Sequence, residues 1–189
     1  MVESYNVMLI GPSAVKGLGY VIDNVSDDQI GVAIREAQQD YLSVITGDRL
    51  IEKIQELILA KKNGESDNID SAGNANYKVL LDRYIVPYLA WKAQVLLTIP
   101  LSFKMRNMGV VQNSDQNVNR ATSKEIYLLR SRLESGACRK ATALSKYLCQ
   151  NKDLFPELDE CPCDKKPMLG KDFVNCALGL DNPNGNTCC

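Results

Sequence analysis

The sequence contains no histidine, and this absence excludes the commonest catalytic designs. Without imidazole there is no Ser–His or Cys–His nucleophile pair, no histidine general base and no histidine metal ligand. Carboxylate pairs do occur, at positions 27–28 and 159–160. The first pair lies at a helix start, where carboxylates interact favourably with the helix dipole, so no catalytic role is needed to explain it. The second pair lies in a tail. We therefore expect that the chain is not an enzyme and uses no cofactor.

An excess of positive charge is also lacking, because 22 lysines and arginines are balanced by 23 aspartates and glutamates. Proteins that grip nucleic acid usually carry a basic excess, since phosphate neutralisation supplies most of their non-specific affinity. Residues 124–152 depart from the balance, with seven basic and two acidic side chains. These charges fall on several sides of a helix. They indicate either a solvated face or a surface that meets an acidic partner or passing DNA, and not a groove-reading helix.

The N-terminal residues lack the positive and long apolar regions of a signal peptide, so we expect the chain to stay in a reducing cytoplasm. Residues 84–101 are largely apolar and just long enough for a transmembrane helix. However, Lys92 lies at the centre of this stretch, and a charge at the middle of a bilayer is costly. We expect a buried core helix in a soluble protein.

A phosphate-binding loop is not encoded either. Residues 11–17 begin and end with glycine and include Lys16, which gives them a superficial likeness to the Walker pattern. That pattern needs a glycine before the lysine and a hydroxyl residue after it. Here Gly17 follows Lys16 and Leu18 comes next, so we expect no nucleotide site.

Four segments show the three- and four-residue apolar spacing of amphipathic helices. They cover about residues 26–46, 48–62, 76–102 and 122–151. Ser26 and Thr122 each have a glutamine or glutamate three residues later, which is the capping-box arrangement. Gly47 stops the first helix, and Pro87 is expected to kink or restart the third.

The predicted fold class is all-α, with a four-helix bundle-like domain at residues 26–155. Residues 1–25 lack a period and contain turn-forming glycines, so we predict an extended N-terminal arm. Residues 156–189 are rich in Cys, Pro, Gly and Asn, and we predict a non-helical Cys-rich C-terminal extension. Residues 103–112 are expected to form an extended connection between the third and fourth helices.

The apolar stripes of the helices predict which side chains form the core. Ile30 and Ile34 mark the stripe of the first helix, and Leu129 and Leu133 mark that of the last. Gly136 lies inside the last helix and weakens it by about 1 kcal/mol relative to alanine unless close packing compensates.

Five of the seven cysteines lie near the C-terminus, at Cys161, Cys163, Cys176, Cys188 and Cys189. Four thiolates make a closed structural zinc site, although the C-x-C and adjacent pairs differ from the usual C-x2-C spacing. Disulfides are a second option, but they are rare in cytosolic proteins, and free thiols packed on a partner are a third. All three remain open. Cys138 and Cys149 lie about 16 Å apart by helical rise, too far to bridge each other.

A series of short sequence blocks, loose singly but ordered and spaced alike, carries a family resemblance. The blocks are residues 26–30, 33–34, 37–38, 41–42, 45–47, 77–91, 107–111, 146–148, 151 and 155–156. Over about residues 7–156 the chain resembles the head–tail connector (adaptor or head-completion) proteins of tailed bacteriophages. It is most similar to those of crAss-like and other Bacteroidetes phages. The cysteine-dense extension from Glu157 onward is not part of that pattern.

This resemblance implies a virion structural protein that forms an oligomeric neck ring, connects the portal to the tail and extends the DNA channel. The implied partners are further copies of the chain, typically about twelve in a closed ring, the portal protein, and further neck or tail proteins. DNA would only pass through the channel, and no membrane is implied. Assembly would take place in the host cytoplasm, and the final location would be the neck of the virion.

Interface residues are expected in segments that a helical core alone cannot stabilise: the arm, residues 105–113 and the extension. The residues selected are Gly17, Gly19, Met105, Met108, Val110, Phe173, Val174 and Leu178. Two alternatives remain open. One is a cytoplasmic Cys-rich zinc-binding interaction module that uses the five C-terminal cysteines, and the other is a small DNA-packaging factor that uses the basic last helix.

Overall fold

Helices make up most of the regular structure, so the chain is all-α as its sequence predicts. The computed structural model describes residues 7–18, 25–106, 109–112 and 122–158, without the side chains of residues 103–112. The α-helices are α1 (Pro12–Leu18), α2 (Asp27–Glu36), α3 (Ser43–Thr46), α4 (Asp48–Lys62), α5 (Ala75–Leu80), α6 (Val86–Ser102) and α7 (Ser123–Gln150). Two π-helical segments continue them, Ala37–Leu42 between α2 and α3 and Leu81–Ile85 between α5 and α6. The helices α2–α3, α4, α5–α6 and α7 thus correspond to the four predicted segments.

The helix ends follow the capping residues of the sequence. Thr122 and Glu125 form a complete capping box, because the Thr122 N–H donates to Glu125 Oε2 at 2.7 Å and the Glu125 N–H donates to Thr122 Oγ1 at 3.3 Å. Ser26 Oγ accepts the N–H of Gln29 at the start of α2. Gly47 separates α3 from α4 with a φ of 78°, a left-handed conformation that favours glycine.

Pro87 does not stop the third helix. Proline removes the N–H that would bond the carbonyl four residues earlier, and its ring crowds that turn. The chain meets this constraint with the wider π spacing of Leu81–Ile85, immediately before α6 begins at Val86. The predicted restart is therefore a local π segment within one continuous helical rod.

The α6 helix is the central element of the fold, since it packs against α7, α2 and α1. Its Leu89 and Ala93 are fully buried together with Ile30 and Ile34 of α2, as the stripe of the first helix predicts. By length and composition alone, the helical stretch Ala72–Ser102 could cross a membrane. Over half of its most apolar window, 56%, is buried inside the fold, which favours the predicted core helix.

Residues 7–18 correct the prediction of an extended N-terminal arm, because Pro12–Leu18 form α1 and the segment is part of the core. The side chains of Val7, Leu9, Ile10 and Val15 are buried. Buried Gln38 holds this segment, accepting the Leu9 N–H at 3.0 Å and donating to the Val7 carbonyl at 3.1 Å. Gln55 of α4 donates to the same carbonyl at 2.9 Å. No local pattern predicts contacts that join residues so distant in sequence.

The connection at residues 103–112 is extended, as predicted, but its two halves pair with each other. Strands β1 (Phe103–Arg106) and β2 (Gly109–Gln112) are antiparallel, with Phe103 opposite Gln112 and Arg106 opposite Gly109. A two-stranded hairpin by itself is at best marginally stable in water. The hairpin at the end of α6 is therefore a segment that an additional packing partner would stabilise.

Gly136 has the close packing that its place inside a helix requires. A Cβ at this position would lie 2.1 Å from Cζ3 and 2.2 Å from Cε3 of Trp91. The Trp91 ring also packs against Val95, Leu133 and Ala137, a small apolar cluster between α6 and α7. The indole therefore lies directly on the backbone of α7, and only glycine leaves room for it.

We expect Gly136→Ala to lower the free energy of unfolding by about 2 kcal/mol, because the methyl group overpacks the Trp91 contact. In an ordinary helix interior the same change would be stabilising by about 1 kcal/mol. Gly31→Ala is the matched control: Gly31 is buried in α2, but its added Cβ would meet only Met8 Sδ, at 4.0 Å. Urea unfolding of both variants measures the difference, and a Gly136→Ala protein as stable as Gly31→Ala would contradict the packing described here.

The loop after α4 is fastened by one carboxylate between two lysines. Asp70 Oδ2 lies 2.7 Å from Lys61 Nζ, and Asp70 Oδ1 accepts a hydrogen bond from Lys78. The hydrogen bonds from Lys61 and Lys78 lower the pKa of Asp70 from 3.8 to about 2. Because a depressed carboxyl pKa stabilises the folded state above the pKa of the unfolded chain, this contribution is lost as the pH falls toward about 2.

An NMR titration of the Asp70 carboxyl carbon should therefore give a pKa near 2. The double variant Lys61→Met/Lys78→Met should return this pKa to about 4, the ordinary value for aspartate. Lys62→Met is the control, because Lys62 is an exposed neighbour at the end of α4 and should leave the pKa of Asp70 unchanged. A pKa of Asp70 near 4 in the parent protein would contradict the double ion pair.

Candidate assembly surface

The α7 helix runs antiparallel to the α5–α6 rod, and two contacts fix their register. The rings of Tyr84 and Tyr147 stack with centroids 4.2 Å apart near one end. Further along, Lys92 Nζ lies 2.7 Å from Glu134 Oε1. Later residues of the rod thus meet earlier residues of α7. The end of α6 and the start of α7 therefore lie together at one end of the molecule, next to the hairpin.

Lys92 is an almost buried cation, with 7% of the residue exposed, and it is held by two partners. Its ammonium group pairs with Glu134 and lies 4.0 Å from the centroid of the Tyr41 ring. Burial, followed by the negative charges of Glu36 and Glu134, raises the pKa of Tyr41. The arrangement joins the π segment Ala37–Leu42, α6 and α7 electrostatically.

Beyond this point the start of α7 has few contacts with the rest of the fold. Residues 122–132 are exposed except for Ile126, which is partly exposed, whereas Leu133 is buried. Leu129, predicted to be core, is 48% exposed, so that prediction is wrong. The apolar spacing continues through Leu129, but Ile99 near the end of α6 is itself 46% exposed. The end of α6 and the start of α7 extend beyond the core, so their apolar side chains stay exposed.

Four side chains at this end form what we call the distal patch: Ile99, Tyr127, Leu128 and Leu129. Their exposed fractions are 46%, 70%, 56% and 48%, and they are four of the seven exposed large hydrophobic residues in the described part of the chain. Single exposed apolar residues are ordinary. Four of them at one end of the described fold make this end the candidate for an interaction surface.

Positive charge surrounds the distal patch. Lys124, Arg130 and Arg132 are all exposed within the first ten residues of α7. The one acidic residue there, Glu125, is engaged in the capping box, whose hydrogen bonds from Thr122 lower its pKa. The surface is therefore apolar with a cationic rim, which suits a partner with carboxylates around an accessible groove.

Such a groove exists elsewhere on the same chain. It has a volume of about 270 Å³ and lies between α4 and the helix α2–α3. The lining residues are Gln38, Gln39, Ser43, Asp48, Ile51, Glu52 and Gln55. Both charged lining residues, Asp48 and Glu52, are acidic. The side chains of Gln38 and Gln55 already bond the N-terminal segment. We call this the acidic groove.

The residues selected from sequence do not make up this surface. Gly17 is exposed on α1, while Met105 and Val110 lie in β1 and β2 of the hairpin beside the distal patch. The other selected residues, Gly19, Met108, Phe173, Val174 and Leu178, lie outside the described residues. The sequence did contain a signal for the patch: three consecutive large apolar residues, at 127–129, exceed what one helix face can bury.

The cysteines of α7 are not free thiols. Free thiols were one of the three options that the sequence left open for the cysteines of the extension. Cys138 and Cys149 are both disulfide-bonded. The five cysteines of the zinc alternative lie outside the described residues. Within the described ranges, no three His, Cys, Asp or Glu side chains lie close enough to hold a metal ion.

Comparison with known proteins gives one family match. The profile of DUF6712, a family of unknown function, matches residues 42–168, which is 127 of the 189 residues. The match begins at the end of the first π segment, covers α4 to α7 and continues beyond Leu158. No curated protein and no solved structure matches the chain.

Proposed function

Because the chain belongs to DUF6712, a family of unknown function, we propose its role from its surface: a virion structural subunit that forms the neck ring between portal and tail. In this role the chain is an assembly protein and not an enzyme. It binds further copies of itself, the portal protein and other neck or tail proteins. DNA passes through the channel of the ring.

The observation that carries the proposal is the exposed start of α7. The first ten residues of α7 are exposed except for Ile126, which is partly exposed, although the helix continues to Gln150. This segment also exposes Tyr127, Leu128 and Leu129 in succession, on different sides of the helix. Burying one leucine side chain contributes about 2 kcal/mol. A subunit that assembles through this end would recover that contribution at every interface.

Charge complementarity supports a second copy of the chain as the occupant. Lys124, Arg130 and Arg132 are exposed on the same segment of α7 as the distal patch, and the acidic groove is lined by the carboxylate of Asp48. Exposed Glu36 and Asp40 precede the groove residues Gln39 and Ser43 along the same helix. The patch and the groove are different surfaces of one molecule, so their contact is heterologous. Repeated heterologous contacts produce a ring when the rotation closes.

The near-zero net charge also suits a channel through which DNA must slide. A strongly basic ring would hold the phosphate backbone, because each neutralised phosphate adds to the affinity. In the proposed arrangement the cations of α7 are used mainly between subunits, where they meet carboxylates of the next copy.

Charge reversal tests this contact directly. We expect the purified chain, at high micromolar concentration, to form closed rings in native mass spectrometry and negative-stain electron microscopy. Arg132→Glu and Asp48→Arg should each reduce the ring population at least about tenfold, since like charges then face each other. The double variant should restore it. Arg139→Glu is the matched control, because Arg139 is exposed on α7 outside the distal segment.

Two outcomes would contradict the proposal. A parent protein that stays monomeric at every concentration, with no ring in any image, would remove its basis. Rings that tolerate both single reversals would show that the patch and the groove do not meet.

A further inference from the structure

The turn that ends α4 places an asparagine directly before a glycine. Asn63 is the C-cap residue, and Gly64 follows it with a φ of 75°. The Gly64 N–H donates to the Lys61 carbonyl at 3.2 Å, and the Glu65 N–H donates to the Ala60 carbonyl at 2.9 Å. These two bonds form a Schellman motif, the common helix ending with a glycine after the C-cap. Asn63 and Gly64 are both exposed, so water reaches this turn.

The residue after Asn63 distinguishes it from the other asparagines in the described part of the chain. The backbone nitrogen of the next residue can attack an asparagine amide carbon, and a Cβ on that residue crowds the attack. Glycine has no Cβ. A Cβ built at Gly64 would meet no atom within 4 Å, so the neighbouring groups also leave the turn open. The other described asparagines all precede residues that carry a Cβ: Asn68 precedes Ile69, Asn74 precedes Ala75, Asn76 precedes Tyr77 and Asn151 precedes Lys152.

We propose that Asn63 is a site of spontaneous deamidation, and that its product, aspartate or isoaspartate, loosens the end of α4. The proposal rests on the exposure of Asn63, the identity of Gly64 and the open space beside that glycine. It does not depend on the proposed neck function.

The chemistry needs only water. The Gly64 nitrogen gives up its proton and attacks Asn63 Cγ, and the Cγ–Nδ2 bond breaks as ammonia leaves, which produces a succinimide ring. Water then opens the ring at one of its two carbonyl carbons. Opening at Cγ gives aspartate with a normal main chain, and opening at the main-chain carbonyl carbon gives isoaspartate, whose main chain runs through Cβ and Cγ. One water is consumed, one ammonia is released, and nothing is oxidised.

Opening of the turn controls the rate of this reaction. In the closed turn the Gly64 N–H is bonded to the Lys61 carbonyl, so its nitrogen is not available to attack. Segments with many exposed backbone hydrogen bonds and few buried contacts open locally at a small fraction of the cost of global unfolding. Residues 61–67 are all exposed, so this turn is such a segment. Local opening therefore permits the attack without unfolding of the helical domain.

The product disturbs the turn through both charge and chain length. Asn63 Nδ2 donates to Glu65 Oε1 at 3.2 Å, whereas a carboxylate at position 63 has no proton to donate and repels Glu65. The new negative charge also lies at the C-terminal end of a helix, where the helix dipole disfavours it. Isoaspartate adds a carbon to the main chain just before Gly64, so the two hydrogen bonds of the Schellman motif no longer fit. The last turn of α4 therefore opens more often in the modified protein.

Ageing of the purified full chain tests the site. The protein is incubated at mildly alkaline pH, and samples are digested with trypsin alongside a fresh sample. Cleavage after the lysines at positions 62 and 78 leaves a peptide of residues 63–78. Fragment-ion spectra of this peptide compare four asparagines directly: Asn63, Asn68, Asn74 and Asn76. We expect conversion at Asn63 to be at least about tenfold faster than at any of the others, which corresponds to about 1.4 kcal/mol of activation free energy.

Two glutamine variants provide the controls. Asn63→Gln should abolish the conversion at position 63, because the longer side chain would have to close a larger ring, which forms far more slowly. Asn68→Gln makes the same change in the same loop and should leave the conversion of Asn63 unchanged. Conversion of Asn63 no faster than that of Asn68 in the parent protein would overturn the proposal.

Hydrogen exchange tests the effect on the turn. The modified form carries one more negative charge, so anion exchange separates it from the parent. Amide exchange at Gly64 and Glu65 should be about two- to fivefold faster in the modified form, as expected for an unfavourable charge at a helix C-terminus. Exchange at Ile54, which is fully buried in the middle of α4, should be unchanged. Equal exchange at Gly64 in the two forms would overturn the proposed loosening of α4.

Discussion

Glu134→Ala should lower the free energy of unfolding by about 3 kcal/mol, because it leaves the Lys92 ammonium buried without its carboxylate. The Lys92 side chain is 9% exposed and that of Glu134 is 32% exposed, so we take the lower part of the range for buried pairs. The remaining contact, the Tyr41 ring at 4.0 Å from Lys92 Nζ, contributes only about 1–2 kcal/mol. Urea unfolding of the variant measures the loss.

The double variant Lys92→Met/Glu134→Leu separates the effect of the ion pair on the free energy of unfolding from the effect of the packing around it. Replacing both charges with apolar side chains of similar volume is often neutral. We therefore expect the double variant to be more stable than Glu134→Ala by at least about 2 kcal/mol. If Glu134→Ala unfolds at the same urea concentration as the parent, the ion pair does not hold α7 to α6 in the way described.

The second large effect is expected at the distal patch. Leu128→Asp/Leu129→Asp should weaken assembly about a thousandfold, since two leucine contacts of about 2 kcal/mol each are lost and charges are introduced. The mass in solution should fall to that of one subunit, 21.0 kDa. The fold itself should be unaffected, because both side chains are about half exposed in the single chain. Sedimentation velocity reports the mass, and circular dichroism reports the helix content.

Leu154→Asp is the matched control for this experiment. Leu154 is 42% exposed and follows the other end of α7, so it shares the chemistry of the patch but not its location. It should assemble like the parent. Equal loss of assembly in both variants would mean that general surface polarity, and not the distal patch, governs association.

The local features of this fold can be predicted from the sequence. Capping residues and apolar spacing predict where the main helices begin and end, because these signals act over three or four residues: Ser26 and Thr122 cap α2 and α7, and Gly47 separates α3 from α4. The close approach of Trp91 to Gly136 cannot be predicted from such local signals. The glycine indicates only that some packing must compensate for it.

The parts that sequence reasoning missed all depend on long-range contacts. Periodicity assigns Leu129 to the same stripe as Leu133, but only the length of the opposing helices decides that one is exposed and the other buried. The glycines before residue 20 suggested an arm, whereas Gln38 and Gln55 bind residues 7–9 into the core.

The alternatives make different predictions for the same purified protein. A zinc module would retain about one tightly bound zinc ion per chain under reducing conditions. A DNA-packaging factor would bind duplex DNA, and that affinity would fall steeply with salt. A neck subunit should form rings without either ligand. Zinc analysis, DNA titration and native mass therefore distinguish the three on one preparation.

Quantitative mass spectrometry of gradient-purified phage particles tests the central claim most directly. We predict that this chain is recovered from intact particles together with portal protein, at about twelve copies per particle, as expected for a closed ring. Its absence from intact particles, with abundant protein in the same lysate, would contradict the claim that it is a structural component of the neck.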